Sequence, residues 1–213
     1  ISAEIDIAEH TNIPIACLRN EQMALVHMFI KRAFDIVVSA IVILLTFPFW
    51  ILIMIAIRLE TDGPAIFRQE RVGKDGGVFN IFKFRTMRAD VDKYQYSPAT
   101  PGDTRITRVG SFLRKTSLDE FPQFLNVLNG DMSMVGPRPE MPFIVEKYKD
   151  WERQRLKVKP GLTGLWQIMG RKDLPLHESL EYDFYYIKNQ SLLLDLTILI
   201  KTVPIILLGK GAY

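Results

Sequence analysis

The sequence predicts a mostly helical α+β protein, with a re-entrant membrane hairpin helix joined to a small cytosolic domain that carries a β-hairpin and interfacial amphipathic helices. Three observations predict it. Residues 36–57, IVVSAIVILLTFPFWILIMIAI, are uncharged and hold Pro48 near their middle. Two apolar and aromatic runs, AIFRQERV and VFNIFKF, flank the turn sequence Lys74-Asp75-Gly76-Gly77. The C-terminal LLLDLTILIKTVPIILL is apolar but interrupted by Asp195, Lys201 and Pro204.

The first run is long enough to span a bilayer, which takes roughly 20 apolar residues, and a single-pass anchor is the simplest reading. Two features favour a re-entrant course. Pro48 removes a helical hydrogen bond and crowds the carbonyl four residues back. Lys31 and Arg32 before the run, and Arg58, Arg68, Arg71 and Lys74 after it, make both flanks basic. Basic flanks favour the cytoplasmic side, so neither end has a reason to cross. Bent at Pro48, each arm would reach about 15–18 Å, roughly one leaflet. Thr46 is placed to bond a carbonyl freed at the bend.

Further along, the second hairpin arm presents Lys83, Arg85 and Arg88 at near-alternating positions, a solvated strand face or a phosphate-binding edge. Residues 90–104 read as a loop beside a site. Residues 140–157 have helical character, and VKPGLTGLWQIMGRKD reads as a structured loop rich in Gly and Pro. The C-terminal run, with its internal charges and Pro204, reads as a helix lying at the interface. Residues 1–27, with NIPIACL as a short strand, read as the tail of an upstream domain or a linker. Residues 28–60 read as the re-entrant helix, and 61–213 as the cytosolic domain with its interfacial C-terminal helix.

Composition removes several function classes. Lys and Arg total 27 against 24 Asp and Glu, a net charge of +3. That excess is too small to argue for nucleic acid, and no nucleic-acid motif is present. It suits an anionic membrane surface or a phosphorylated substrate. The lone Cys17 forms no internal disulfide, and no Cys/His set has zinc spacing. P-loop, GxGxxG and GxSxG signatures are absent.

Chemistry concentrates in TSLDEFPQFLNVLNGDMSMVGPRPE, residues 116–140, where Asp119 and Glu120 adjoin. A purely structural reading makes Ser117-x-x-Glu120 a capping box, with acids favourable in a first helical turn. Against it, Pro122 would then be the fifth helical residue, where its missing N–H begins to matter. The chemical reading is phosphoryl transfer at a membrane surface. There Arg residues hold phosphate oxygens and Mg²⁺ bridges them to carboxylates. An Asp carboxylate can itself attack phosphorus, and a neighbouring Glu can hold the metal. Arg138, between Pro137 and Pro139, presents a rigidly aimed guanidinium.

The motifs KRAFDIV, FRQERVG, FKFRTMR, RITRVGSFLRKTSLDEFPQFLNVLNGDMSMVGPRP, VKPGLTGLWQIMGR and YDFYYIKNQSLLLDL occur in that order. Together they strongly resemble the bacterial sugar transferases, the monotopic phosphoglycosyl transferases. The resemblance runs from about Phe29 to Tyr213 and is strongest to long members, in which further membrane helices and another domain precede the catalytic part. It implies a re-entrant helix broken at a Ser-Pro pair, here Phe47-Pro48. It implies that Asp119 is the nucleophile and that Glu120, with Asp119, supports Mg²⁺. Arg85, Arg114, Arg138 and Arg171 fall at basic positions near the substrate phosphates, and Lys83 of the hairpin arm joins them as a candidate substrate-binding residue. Asp183 and Asp195 match family carboxylates, and Asp195 reads equally well as a buried ion-pair partner. Lys31 and Arg32 match the basic pair at the lipid headgroups.

The implied activity is a ping-pong transfer of sugar-1-phosphate from a UDP-sugar to a polyprenyl (undecaprenyl) phosphate. It releases UMP, on the cytoplasmic face of a bacterial inner membrane. Two rivals differ in kind: a catalytically silent membrane-anchored assembly module for polysaccharide export, and an enzyme in which the lipid phosphate attacks directly while Asp119 serves as base or metal ligand. The sugar and the oligomeric state, a homo-oligomer included, stay open at this level.

Overall fold

The structure, a computed structural model, describes residues 15–92, 94, 102–169 and 180–207, with side chains from residue 25 to residue 206. The chain divides into two compact units, Ile1–Phe34 and Asp35–Tyr213. Helix α1, Ile15–Glu60, contributes to both. Residues 15–18 of the expected NIPIACL strand are helical, the start of this long element.

Within the second unit one face of α1 is buried. Asp35 and Ser39 lie one turn apart, and Trp50 and Ile57 are 6% and 2% exposed. Trp50 and Ile57 form a core with Ala65, Phe84 and Leu113, in which the Trp50 and Phe84 rings meet edge to face at 5.8 Å. The other faces are apolar yet exposed, Leu44 at 77% and Leu59 at 83%. The stretch Leu25–Glu60 is long and apolar enough to cross a membrane by length and composition.

Pro48 lies inside α1, which continues as one helix past it. A proline forfeits one hydrogen bond and crowds one carbonyl, a local disturbance that can bend a helix without dividing it. The Thr46 hydroxyl does bond a carbonyl, that of Val42 at 2.7 Å rather than the one four residues before Pro48, and it accepts from Trp50 Nε1 at 3.0 Å.

The expected hairpin is present. Strands β1 (Ile66–Val72) and β2 (Val78–Phe84) pair antiparallel, with Val72 opposite Val78 and Ile66 opposite Phe84. Asp75 takes a left-handed φ of 55° in the turn, a conformation Asp tolerates better than most residues. Helix α2, Arg108–Lys115, starts at Thr107, whose side chain accepts from Gly110 N. The end of α1 adds to this junction: both carboxylate oxygens of Glu60 accept from the N–H groups of Arg108 and Val109, at 2.6 and 2.9 Å.

Helix α3, Gln123–Asn129, is tied to β2 by one side chain. The fully buried Asn126 amide accepts from Phe82 N at 3.0 Å and donates to Asn80 O at 2.7 Å, imitating a neighbouring strand. Strand β3, Ser133–Val135, pairs in parallel with β4, Gly161–Thr163. Residues 158–169, expected as part of a structured loop, therefore supply a strand and the short helix α5, Leu165–Met169. Glycine permits this crossing: a Cβ on Gly161 would lie 2.1 Å from Gly136 N.

The charged stretch 140–157 forms a short helix α4, Pro142–Val145, and a 3₁₀ turn, Glu152–Lys157. Helices α6, Leu180–Lys188, and α7, Leu192–Leu207, complete the described chain. On α7, Asp195 and Ile198 are buried while Leu193 and Ile200 are 77% and 71% exposed.

Candidate active site

The turn bearing the two acids is not a capping box. Ser117 sits in the left-handed region, φ 56°, ψ 16°, and its side chain makes no cap bond. It ends α2 in the position usually taken by glycine, its N–H donating to Arg114 O at 3.1 Å. For a residue with a Cβ this conformation costs on the order of 1–2 kcal/mol. A separate 3₁₀ turn, Leu118–Glu120, leads from Ser117 to α3, for which Pro122 is the N-terminal flank. Pro122 thus stands where its missing N–H is harmless, which removes the difficulty the sequence raised.

This reversal places Asp119 on a cavity of about 940 Å³ whose described lining residues all belong to the Asp35–Tyr213 unit. Its walls carry Arg114 from α2, Lys83 from β2, and Arg71 and Arg138. Arg58, Arg68, Arg85 and Arg88 line it as well; the acids among its described lining residues are Asp92 and Asp119. An apolar wall comes from Ile51, Met54 and Ile55 of α1, which share one helical face with Arg58. The cavity is strongly electropositive and also greasy, a combination suited to an anionic amphiphile.

Asp119 is 9% exposed. Burial pushes its carboxyl up to about 6; the Lys83 charge opposes that, Glu120 adds to it and Arg114 opposes it again. Glu120 is held differently, with Lys83 Nζ 2.6 Å and Arg138 Nη1 4.0 Å from its Oε1. Arg114 donates from Nε to the Thr86 hydroxyl at 3.1 Å, and burial lowers its pKa.

The Pro137-Arg138-Pro139-Glu140 segment is gripped at every carbonyl. Pro137 O accepts from Gly161 N at 2.9 Å and Glu140 O from Val72 N at 2.9 Å. Between them, Arg138 O accepts from Arg155 Nη2 at 2.9 Å and Pro139 O from Arg71 Nη1 at 3.1 Å. Burial, then the neighbouring Arg138 charge, lowers Arg71 to about 10, so it stays charged at neutral pH.

The cavity therefore brings together Lys83, Arg85, Arg114, Asp119 and Arg138 of the residues expected from sequence, with Glu120 bonded to its rim through Lys83. Arg85 is the most constrained of them. Its guanidinium donates to Thr61 O, Asp62 O and the Thr61 hydroxyl at 2.7–2.8 Å, clamping the end of α1.

Asp183 and Asp195 do not line the cavity. Asp183 faces Arg155, with 2.7 Å between Oδ2 and Nη2 and each side chain 2% exposed. Asp195 accepts from the Tyr186 hydroxyl at 2.8 Å, a hydroxyl that also lies 3.0 Å from Val135 O. Burial pushes the Tyr186 phenol well up, with Asp195 next in effect. Lys31 and Arg32 are half-buried and belong to the first unit, and Pro48 is exposed on α1. Arg171 lies outside the described residues.

Sequence reasoning did not single out Arg155 or Asn126 at all, and took Arg71 only as a membrane flank. Nothing local marks them: Arg155 stands in the charged run ERQRLK, indistinguishable from a solvated face.

Among the described residues no group of three or more His, Cys, Asp or Glu is placed to hold a metal. A cation held by Asp119 and Glu120 alone would have to be one that takes one or two carboxylates and completes its shell with water and substrate phosphates, the habit of Mg²⁺.

Residues 26–209 match the family described as bacterial sugar transferase. The chain is 38% identical over 198 residues to the exopolysaccharide production protein ExoY of Sinorhizobium fredii, covering 86% of this chain and 88% of the relative. It is 41% identical over 203 residues to the undecaprenyl-phosphate galactose phosphotransferase of Salmonella typhimurium, covering 87% and 42%. It is 39% identical over 215 residues to the UDP-glucose:undecaprenyl-phosphate glucose-1-phosphate transferase of Escherichia coli, covering 97% and 46%. The chain thus spans nearly all of the first relative's length and under half of the other two. By these matches the chain belongs to the bacterial sugar transferase family.

Proposed function

We propose that the protein transfers a sugar-1-phosphate from a UDP-sugar to a polyprenyl phosphate at the cytoplasmic face of a bacterial inner membrane, the first membrane step of surface polysaccharide synthesis. The observation that carries this reading is the cavity that joins the Asp119 carboxylate, a ring of guanidinium groups and the apolar face Ile51-Met54-Ile55. A sugar nucleotide needs the charges and a lipid phosphate needs both.

In the first half-reaction a carboxylate oxygen of Asp119 attacks the sugar-linked phosphorus. A P–O bond forms, the P–O bond to UMP breaks, and UMP leaves with the electron pair. In the second, an oxygen of the polyprenyl phosphate attacks the same phosphorus. The bond to Asp119 breaks, regenerating the carboxylate and giving polyprenyl-diphosphate-sugar. Arg114, Arg138 and Lys83 neutralise phosphate oxygens as charge moves. Lys83 also screens Glu120, so that one anion can approach another. Glu120 and Asp119 would be the residues that hold Mg²⁺, and the ion would supply further charge neutralisation.

The exposed apolar faces of α1 support a helix seated in lipid, and a re-entrant course bent at Pro48 sets the cavity at headgroup depth. Lys31 and Arg32 then serve as headgroup anchors, and α7 lies at the interface with Leu193 and Ile200 toward lipid.

The test uses purified protein, Mg²⁺, polyprenyl phosphate and a panel of UDP-sugars, with UMP as the readout. Asp119→Asn is expected to abolish UMP release, and labelled phosphosugar is expected on the wild-type protein without lipid acceptor. Near wild-type turnover of Asp119→Asn excludes covalent catalysis by that residue. UMP release with no trapped phosphosugar favours direct attack by the lipid phosphate. No UMP release with any UDP-sugar leaves the silent assembly module as the reading.

A further inference from the structure

We infer that Arg155, backed by Asp183, is a positioning residue for Arg138: it holds the peptide carbonyl of Arg138 from behind the cavity and so aims that guanidinium at the substrate phosphates. The inference rests on the proposed role of Arg138.

Arg155 is 3% exposed, in the 3₁₀ turn Glu152–Lys157, and is not among the residues lining the cavity. Its guanidinium makes two hydrogen bonds and one close ion pair. Nη2 reaches Arg138 O at 2.9 Å and Asp183 Oδ2 at 2.7 Å, and Nη1 donates to the Tyr148 hydroxyl. Tyr148 belongs to the apolar cluster with Val72, Met141, Ile144 and Val145, so the fork is fixed on its far side by packing. Burial alone lowers the pKa of Arg155, but Asp183, Tyr148 and Glu140 outweigh it, and the group stays protonated.

A buried ion pair is a poor stabilising device, since well-packed apolar residues of similar volume do as well or better. What an apolar pair cannot supply is a donor for the Arg138 carbonyl. The prolines on either side restrict the backbone, so the tilt of the Arg138–Pro139 peptide, whose carbonyl Arg155 holds, sets where the Arg138 side chain leaves the loop. That side chain is 36% exposed and reaches to 4.0 Å from Glu120. A small tilt at the backbone becomes a larger displacement at the guanidinium. Arg71 grips the next carbonyl, but it lines the cavity itself and so touches both backbone and ligand space. Arg155 can influence the reaction only through the loop.

The experiment is a double-mutant cycle on the full chain in detergent micelles, reading kcat and KM for UMP release with a UDP-sugar that the wild type turns over. Arg155→Lys keeps the charge opposite Asp183 but loses the fork. We expect it to lower kcat about 10- to 100-fold, the scale of a misplacement near 1 Å. In the Arg138→Ala background the same change is expected to cost less than about 3-fold, because the group it aims is gone. Equal losses in both backgrounds, or no loss from Arg155→Lys in the wild type, would overturn the inference. Unchanged kcat and KM for Arg138→Ala alone would instead overturn the catalytic role of Arg138. Should Arg155→Lys fail to fold, the paired change Arg155→Met with Asp183→Leu removes both charges together and enters the same cycle with the same expected outcomes.

Discussion

Lys83 Nζ lies 2.6 Å from Glu120 Oε1, bridging strand β2 to the turn that carries Asp119. One ammonium thereby separates the roles of two adjacent acids. Glu120 is half-buried and neutralised, while Asp119 is buried with its carboxyl raised to about 6. Its basicity is higher than an ordinary aspartate's, yet it remains mainly ionised at pH 7, which suits a nucleophile.

Under the proposed mechanism, that arrangement sets the pH dependence of the reaction. An attacking Asp119 must be ionised, so kcat/KM for UMP release should fall on the acid side with a midpoint near pH 6. Lys83 lowers the Asp119 pKa, so Lys83→Met should move the midpoint upward. A midpoint that stays in place in the variant would show that Lys83 does not act on Asp119.

Stability should respond in the opposite sense to activity when Asp119 is neutralised. Its folded pKa, about 6, stands above its ordinary 3.8, so the folded state binds the proton more tightly. The stabilisation from that proton is complete below about pH 4 and is lost as pH rises through 6. At pH 7 the ionised group burdens the fold, and Asp119→Asn should relieve this by up to about 3 kcal/mol. Denaturant unfolding at pH 7 and pH 4 checks it: the variant's advantage should be present at the first and small at the second. A variant less stable than wild type at pH 7 contradicts the prediction.

The β3–β4 contact should tolerate no side chain at Gly161. A Cβ there would meet Gly136 N at 2.1 Å and Thr163 O at 2.3 Å. Backbone atoms cannot swing away, so Gly161→Ala should cost at least about 3 kcal/mol. Gly76 is the contrast: φ is +82° with nothing within 4 Å of an added Cβ, so only backbone conformation resists substitution. Gly76→Asn should cost less than about 1 kcal/mol. Thermal unfolding of both variants separates the two effects.

Tyr186 should prove a structural residue of the buried layer beneath β3. Tyr186→Phe removes the hydroxyl between Asp195 Oδ1 and Val135 O and should cost about 1–3 kcal/mol. Tyr185, one residue earlier on α6 and 58% exposed, provides the control: Tyr185→Phe should change stability by less than about 0.5 kcal/mol. Comparable losses at the two positions would contradict the assignment.

Much of the molecule was legible in one dimension. The β1–β2 hairpin was marked by its Lys-Asp-Gly-Gly turn between apolar runs, because turn chemistry is local. The apolar helix was marked by length and lack of charge, and Asp119, Glu120 and Arg138 by residue type and motif. Where local rules misled, a tertiary contact had outweighed them. Ser117-x-x-Glu120 has the composition of a capping box, but Glu120 is drawn to Lys83 on a different element and Ser117 turns left-handed to end α2. The glycine-rich segment after Lys157 reads as a structured loop, but those glycines are what let two backbones close into a parallel pair.

By itself, the sequence determined which chemical groups exist and which short segments turn, bend or seek an apolar environment, since each of those depends on residues within a few positions of one another. The tertiary structure alone decided which charges face the cavity and which stand behind it. Arg71, Arg85, Arg114, Arg138 and Arg155 are equivalent as letters. Folding leaves some open to the cavity and buries Arg155 against Asp183 and the Arg138 carbonyl. The reason is that a guanidinium is buried at least cost where distant parts of the chain bring it acceptors and an opposite charge, as Tyr148, the Arg138 carbonyl and Asp183 do for Arg155.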